Sequence, residues 1–454
     1  NNKNFLHYKT NKGTKEVKNT EFVTKDLLLE VGDDNGFEMK PQVVFIDGEE
    51  NPVKPTKWNY DIELYKYNDS DVAERIEDNS TDYNKYVDSY DRENCVINFS
   101  TQAIGSKFYV KVIPEVMDQY DEFSETKTVK TPDFKVVDAF NIYSDEDLAY
   151  LVNYDTNPTF KPQRVHIPEW NVWKDEHNID KTLKPSHFVL QTDINITTSS
   201  FPDAFLYLEG DVNFPTDETE RAKVDGSMED WSEIYHHKAT GEDSFNGNYF
   251  TINASQIPLT KYESNNPSIQ YPISHVTLFF LGEDKANEAL SPTDQGASFK
   301  WSNTNFVGNS PKNELYKTSG GVILFKSADQ NMLWENNISQ CCFISYYPCS
   351  DHLNKPHTYT VNNCKGYDNY NSFLYNWGCT LVVNNSEFIG CGGPIVIQDH
   401  TGVSNHADTG WSDTTFTNCN LHSYVCGSEG WFNVVGATTI VPNIKSMSGL
   451  FNVG

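Results

Sequence analysis

One asparagine recurs at the same place in five segments of the second half of the chain. The segments are Ser298–Phe306, Met332–Ile338, Tyr359–Cys364, Leu381–Ser386 and Thr415–Cys419. In each, an apolar residue stands two places before the asparagine: Trp301 before Asn303, Trp334 before Asn336, Val361 before Asn363, Val383 before Asn385, Phe416 before Asn418. The asparagines lie 33, 27, 22 and 33 residues apart. Spacings in this range mark stacked units that share one continuous core. Their variation fits a fixed turn joined by loops of unequal length. The residue type has a physical reason. Asparagine accepts the left-handed backbone of a tight turn. Coils stack about 4.8 Å apart, so an inward amide at each turn can bond the amide of the next coil. The column is therefore expected to be a structural ladder, with no catalytic part.

A second strand recurs downstream of each turn: Val322–Lys326, Phe343–Tyr347, Phe373–Trp377, Ile395–Asp399 and Trp431–Val435. No helical pattern separates the strands, which excludes a doubly wound α/β fold. Two strands per coil in matching order predict a right-handed parallel β-helix.

Residues 1–134 read as short strands punctuated by turns, among them Phe22–Val31 before the hairpin signal Gly32–Gly36, Gln42–Ile46, Tyr60–Tyr67, Val96–Phe99 and Lys107–Ile113. Such a density of strands predicts a β-sandwich. After an acidic linker, Asp118–Thr131, comes Ser144–Asn153. Ser144 and Asp147 make a capping-box-like start, and Leu148, Leu151 and Val152 share a face. This short helix, at about 144–153, is expected to cover the open end of the first coil. The fold class is thus all-β, with a sandwich over 1–134 and a capped β-helix over 135–454.

Two stretches resemble known families. Ala103–Pro114 resembles the closing strands of bacterial immunoglobulin-like surface domains. Helix 144–153, the strand pair Phe188–Ile196 and the glycine turn in Phe245–Ile252 follow an order that resembles the opening coils of bacterial extracellular right-handed β-helix proteins, of pectate-lyase-like architecture. The resemblance implies an extracellular or cell-surface location.

The formal charge of −29 makes nucleic-acid binding through a basic patch an unfavourable expectation, and it repels anionic lipid. It also repels a polyanionic substrate unless a local basic site overcomes the field. No run of 18 apolar residues exists, so no direct membrane insertion is expected. A start at Asn1 without methionine reads as a processed chain or a segment of a longer one. Eight of nine cysteines fall between Cys341 and Cys426, without the paired spacing of a zinc site. Cys364, Ser386 and Cys419 follow the ladder asparagines, with the two cysteines about 9–10 Å apart across two coils, too far for a disulfide. Most read as small buried residues, with local disulfides involving Cys341, Cys342 or Cys349 left open.

The second strand suggests where a ligand would bind. Positions 323, 344, 374, 396 and 432 read as interior. The opposite face then offers Phe343, Phe373, Ile395 and Trp431, then Tyr375 and Asn433, then Lys326, Tyr347, Trp377 and Asp399. An exposed aromatic strip flanked by carboxylates suits sugar rings or a neighbouring subunit. Tyr347, Tyr375, Trp377, Asp399, His400 and Lys326 are the candidate ligand residues. The competing reading is a strip covered by a loop. Histidine–carboxylate pairs at Asp351–His352, Asp399–His400 and His406–Asp408, with His357 and His236–His237, lack a metalloprotease spacing and read as ordinary loop residues. No metal or cofactor is called for.

The first expectation for function is a surface, adhesin-like or structural protein whose partner is a glycan or a neighbouring subunit. The alternative is a polysaccharide lyase or glycoside hydrolase. Against it, the four arginines all precede the repeats, and only Asp399 lies on the aligned strand where paired carboxylates are required.

Overall fold

The structure is a computed structural model. It describes residues 5–10, 13–22, 36–38, 41–46, 52–53, 58–116, 122–125, 129–131, 133–153, 170–197, 232–257, 275–282, 296–310, 321–328, 330–348, 357–369, 372–377, 379–390, 395–398, 413–422, 438–440 and 446–448. The chain divides into two compact units, Asn1–Phe140 and Asn141–Gly454, six residues beyond the division at 134 read from the sequence.

The first unit is built from antiparallel strands. Trp58–Tyr67 pairs with Lys107–Val116, from Phe108 opposite Lys66 to Val116 opposite Trp58. Ala73–Ile76 flanks the first of these strands. Alternation sends Ile62, Leu64, Phe108, Val110 and Val112 to one side, into a core shared with Cys95, Ile97 and Phe99. Glu63, Tyr65, Lys107, Tyr109 and Lys111 take the other side. The expected hairpin at 32–35 lies outside the described residues.

The second unit is a parallel β-helix. Among the described residues, its first sheet has nine strands, including Glu242–Asn246, Ser298–Ser302, Asn331–Glu335, Thr358–Asn362 and Thr380–Asn384. Its second sheet has, among the same residues, eight short strands, including Asn305–Val307, Ile338–Gln340, Lys365–Tyr367 and Glu387–Ile389. Its third has six described strands: Ser232–His237, His275–Gly282, Gly321–Ala328, Ile344–Pro348, Ser372–Trp377 and Ile395–Gln398. Successive coils pair in parallel in all three sheets. Among the described residues, the coils from His187 to Gln398 therefore have three strands each, one more than the sequence reading. The extra strand follows the asparagine and is only three residues long, too short to display a period of two.

Asn303, Asn336, Asn363, Asn385 and Asn418 all hold the left-handed backbone, with φ of 54, 55, 50, 51 and 54°. Asn336 Nδ2 donates to Asn303 Oδ1 at 3.2 Å, Asn363 to Asn336 at 2.6 Å, and Asn418 to Asn385 at 2.7 Å. Asn246 extends the ladder one coil earlier, accepting from Asn303 at 3.2 Å. The ladder does not run wholly inward as expected. Asn303 is buried, while Asn363 and Asn385 are exposed. The column that does turn inward is the next one, Thr304, Asn337, Cys364, Ser386 and Cys419, all buried. It closes the corner: Thr304 N donates to Asn337 Oδ1 at 3.1 Å, and Cys364 N to Ser386 Oγ at 3.1 Å. Gly247 is required by this close approach, since a Cβ there would stand 1.9 Å from Thr304 Oγ1.

Aromatic side chains fill the interior. Phe245 stacks on Trp301 with centroids 4.0 Å apart, and Phe325 lies 4.9 Å from Trp301 and 5.8 Å from Tyr346. Such pairs contribute about 0.5–1.5 kcal/mol each beyond the area they bury.

Residues 144–153 hold a 3₁₀ helix, Glu146–Leu151, rather than an α-helix. The reciprocal box is present: Ser144 N donates to Asp147 Oδ2 at 3.1 Å, and Asp147 N to Ser144 Oγ at 3.4 Å. Leu148, Ala149 and Leu151 are buried.

Candidate functional site

The third sheet carries four of the six candidate residues, Lys326, Tyr347, Tyr375 and Trp377, and its strands bend. Tyr346 faces the interior, 5.2 Å from Trp334. Ser345 does so too, with Ser339 Oγ and Asn369 Nδ2 within 2.8 and 2.6 Å of its hydroxyl. In the next coil Phe373 stacks on Phe388 at 5.0 Å, and Leu374 pairs with Tyr346. Two successive residues thus turn inward in each strand, which breaks simple alternation. Ile323 and Ile344 consequently leave the interior. They cluster with Phe343 and Tyr347, and Tyr375 packs against the group. The assignment of positions 323 and 344 to the interior, and of Phe373 to the outside, is corrected accordingly.

The same bend resets the outer column. Lys326 stands opposite Tyr347. Tyr347 stacks on Tyr375, with centroids 4.6 Å apart and planes 29° apart. The sequence reading had set Tyr347 beside Trp377, two residues too far along. The column also begins two coils earlier than expected. His236 pairs with Phe280, their rings 4.4 Å apart, and Phe280 pairs with Lys326, whose Nζ lies 5.3 Å from the ring centroid. The five aligned segments begin at Ser298, so neither His236 nor Phe280 falls within the repeat read from the sequence.

The column is not open to solvent along its length. Tyr347 is 1% exposed and Lys326 6%, and His236 and Phe280 are buried as well. Tyr375 is half-buried and is the accessible ring. Trp377 stands two residues beyond it, opposite Gln398. Asp399 and His400 lie outside the described residues.

A second polar cluster lies at the first coils. His237 and Asp243 are both buried and bonded, Nε2 to Oδ2, at 2.8 Å. His237 Nδ1 meets the Leu151 carbonyl, and Asp243 Oδ1 accepts from Thr240 N and Gly241 N at 3.2 and 3.1 Å. Both carboxylate oxygens and both ring nitrogens thus have partners within the fold. The pair fastens the 3₁₀ helix to the first coils. On the outer face of the first sheet, Glu335 is held by Lys300 at 3.1 Å and by Asn362 at 2.9 Å. Glu387 accepts from Tyr367 at 3.1 Å on the second sheet.

Cys95, Cys341, Cys342, Cys364, Cys379 and Cys419 are buried. Burial pushes the Cys364 thiol up to about 12 and raises Cys342 and Cys419 as well. These are packing residues with poor nucleophiles. Among the described residues no group of three or more His, Cys, Asp and Glu is placed to hold a metal ion, and no helix is long and apolar enough to cross a membrane.

No family model matches the chain, and no curated protein matches it. Among solved structures it is similar to the Yersinia enterocolitica family 28 exopolygalacturonase, at 9% identity, over 94% of this chain and 99% of that one, with a TM-score of 0.20. A likeness this low carries no argument about fold or function.

Proposed function

We propose that the chain is an extracellular or cell-surface protein whose β-helix is a rigid, non-catalytic scaffold for a glycan or a neighbouring subunit. In this reading the β-helix is right-handed, as parallel crossovers are in about 98% of cases. The 3₁₀ helix caps its first coil, and the first unit is an immunoglobulin-like sandwich of the kind that spaces binding modules from a surface.

The observation that carries the reading is the stacked pair Tyr347–Tyr375 on the outer face of adjacent coils. Tyr375 presents a sugar-sized aromatic edge whose orientation is fixed by the buried ring beneath it. Lys326 and Tyr347 support the platform from below. Trp377 and the Asp399–His400 pair would extend the contact and bond hydroxyls. Rigid aromatic anchors lose little entropy on binding, which suits a repeat scaffold.

The test is a glycan-array screen of the full chain and of Tyr375→Ala and Trp377→Ala. Both variants should lose the array signal for uncharged glycans while melting as the parent does. An array signal unchanged in both would remove the platform from the proposal.

A further inference from the structure

The first unit carries a face on which tyrosines and basic side chains are interleaved. Its β-strands Trp58–Tyr67 and Lys107–Val116 present Tyr65, Tyr67, Tyr109, Lys107 and Lys111 on the face away from the core. Tyr65 and Tyr109 stack with centroids 4.5 Å apart, and Tyr67 meets Tyr109 edge-on at 6.0 Å. An ammonium sits over each ring: Lys107 over Tyr67 at 4.2 Å, Lys111 over Tyr65 at 4.6 Å, and Lys130 over Tyr109 at 3.9 Å. Arg75 joins them from opposite Tyr65. These four cations face three carboxylates. Glu63 lies 3.5 Å from Arg75 and 3.9 Å from Lys111. Asp71 lies 3.0 Å from Lys107. Asp133 lies 3.2 Å from Lys130 and 4.0 Å from Lys107. Tyr67 also donates to Asp133, which pushes its hydroxyl up to about 12.

We propose that this face binds an acidic polysaccharide, one bearing carboxylates on its sugar units. The four cationic side chains are 34–50% exposed, so an incoming carboxylate can reach each of them. Exposed ion pairs of this kind are weak, and ligand carboxylates can replace Glu63 and Asp133. The tyrosines fix the ammoniums in a short row that needs no ordering on binding. Three half-buried rings add apolar edges for the C–H faces of the sugars.

The alternatives fit less well. A nucleic acid carries a phosphate every ~1.7 Å of duplex, and a chain of charge −29 repels such density far more than a sparsely charged glycan. An acidic peptide would add to a free strand edge, but Lys107–Val116 is paired on both sides. A second copy of the chain carries the same net charge and is repelled as a whole.

The experiment titrates the full chain with alginate, with dextran as the neutral control. Alginate should bind at about 0.01 M salt and release at about 1 M, where screening shortens from ~30 to ~3 Å. Replacing Lys107, Lys111 and Lys130 together by Gln should weaken binding by at least about tenfold. Replacing the same three by Arg should preserve it, because guanidinium keeps both charge and ring stacking. The Arg form decides the matter if the Gln form melts early. Equal binding of dextran, or alginate binding untouched in the Gln form, overturns the proposal. So does tighter binding of oligo-glutamate, or salt-sensitive self-association that the Gln form abolishes.

Discussion

Asn336 donates its side-chain amide to Asn303 across one coil at 3.2 Å, and both residues hold a left-handed backbone, with φ of 55 and 54°. One residue type thus meets two demands. It tolerates the turn, and its amide has a donor and an acceptor that bond neighbours on either side. Where the ladder reaches solvent, water competes for the amides, and the backbone demand becomes the larger of the two.

Asn363 tests this division. It is exposed and bonded to Asn336 at 2.6 Å. Asn363→Ala should destabilise the β-helix by about 1–2 kcal/mol, because alanine keeps the Cβ that strains the left-handed region and loses the side-chain amide that offsets the strain. Asn363→Gly should cost less than half as much, since glycine removes the strain while also losing the amide. Denaturant melts of the two variants compare them directly. Equal losses would assign the stability to the amide bond instead.

The buried His237–Asp243 pair gives a larger effect. Asp243→Ala strands the His237 ring and two backbone N–H groups, with an expected loss of about 3 kcal/mol. Asp243→Asn keeps an acceptor and should lose less. Urea unfolding followed by aromatic fluorescence measures both. A neutral Asp243→Ala would mean that the 3₁₀ helix is held by its apolar residues alone.

Cys364 predicts a pH dependence. Its thiol rises from an ordinary 9.0 to about 12 because burial penalises the thiolate. A raised pKa in the folded state contributes stability that is complete below the unfolded value. That stability is lost as pH climbs towards the folded value, because the unfolded chain releases the proton first. The window runs from about pH 9 to about pH 12. Over it Cys364→Ala should flatten the fall of unfolding free energy by about 1.4 kcal/mol per pH unit. An unchanged slope would show that the thiol already titrates in the folded chain.

Much of the fold could be read from residues because some positions tolerate so few alternatives. The ladder column at Asn303 through Asn418 is one, and the alternation of Tyr60–Tyr67 and Lys107–Ile113 is another. The three-residue second strand escaped because nothing so short shows a period. The inside and outside of the third sheet were misread because Ser345 with Tyr346, and Phe373 with Leu374, turn inward together. A rule of strict alternation then places Ile323 and Ile344 on the wrong side. The basic face of the first unit was hidden for a different reason. Its cations, Arg75, Lys107, Lys111 and Lys130, come from separate strands, and only their pairing brings them over the tyrosines.

The central claim is that the β-helix binds a glycan and leaves it intact. The direct measurement is to incubate the chain with each glycan it retains on an array and to quantify new reducing ends over time. The account predicts retention of uncharged glycans that Tyr375→Ala abolishes, with reducing ends no higher than in the buffer blank. Steady release from a retained glycan, lost in the same variant, would contradict it and make the Tyr347–Tyr375 platform part of an active site.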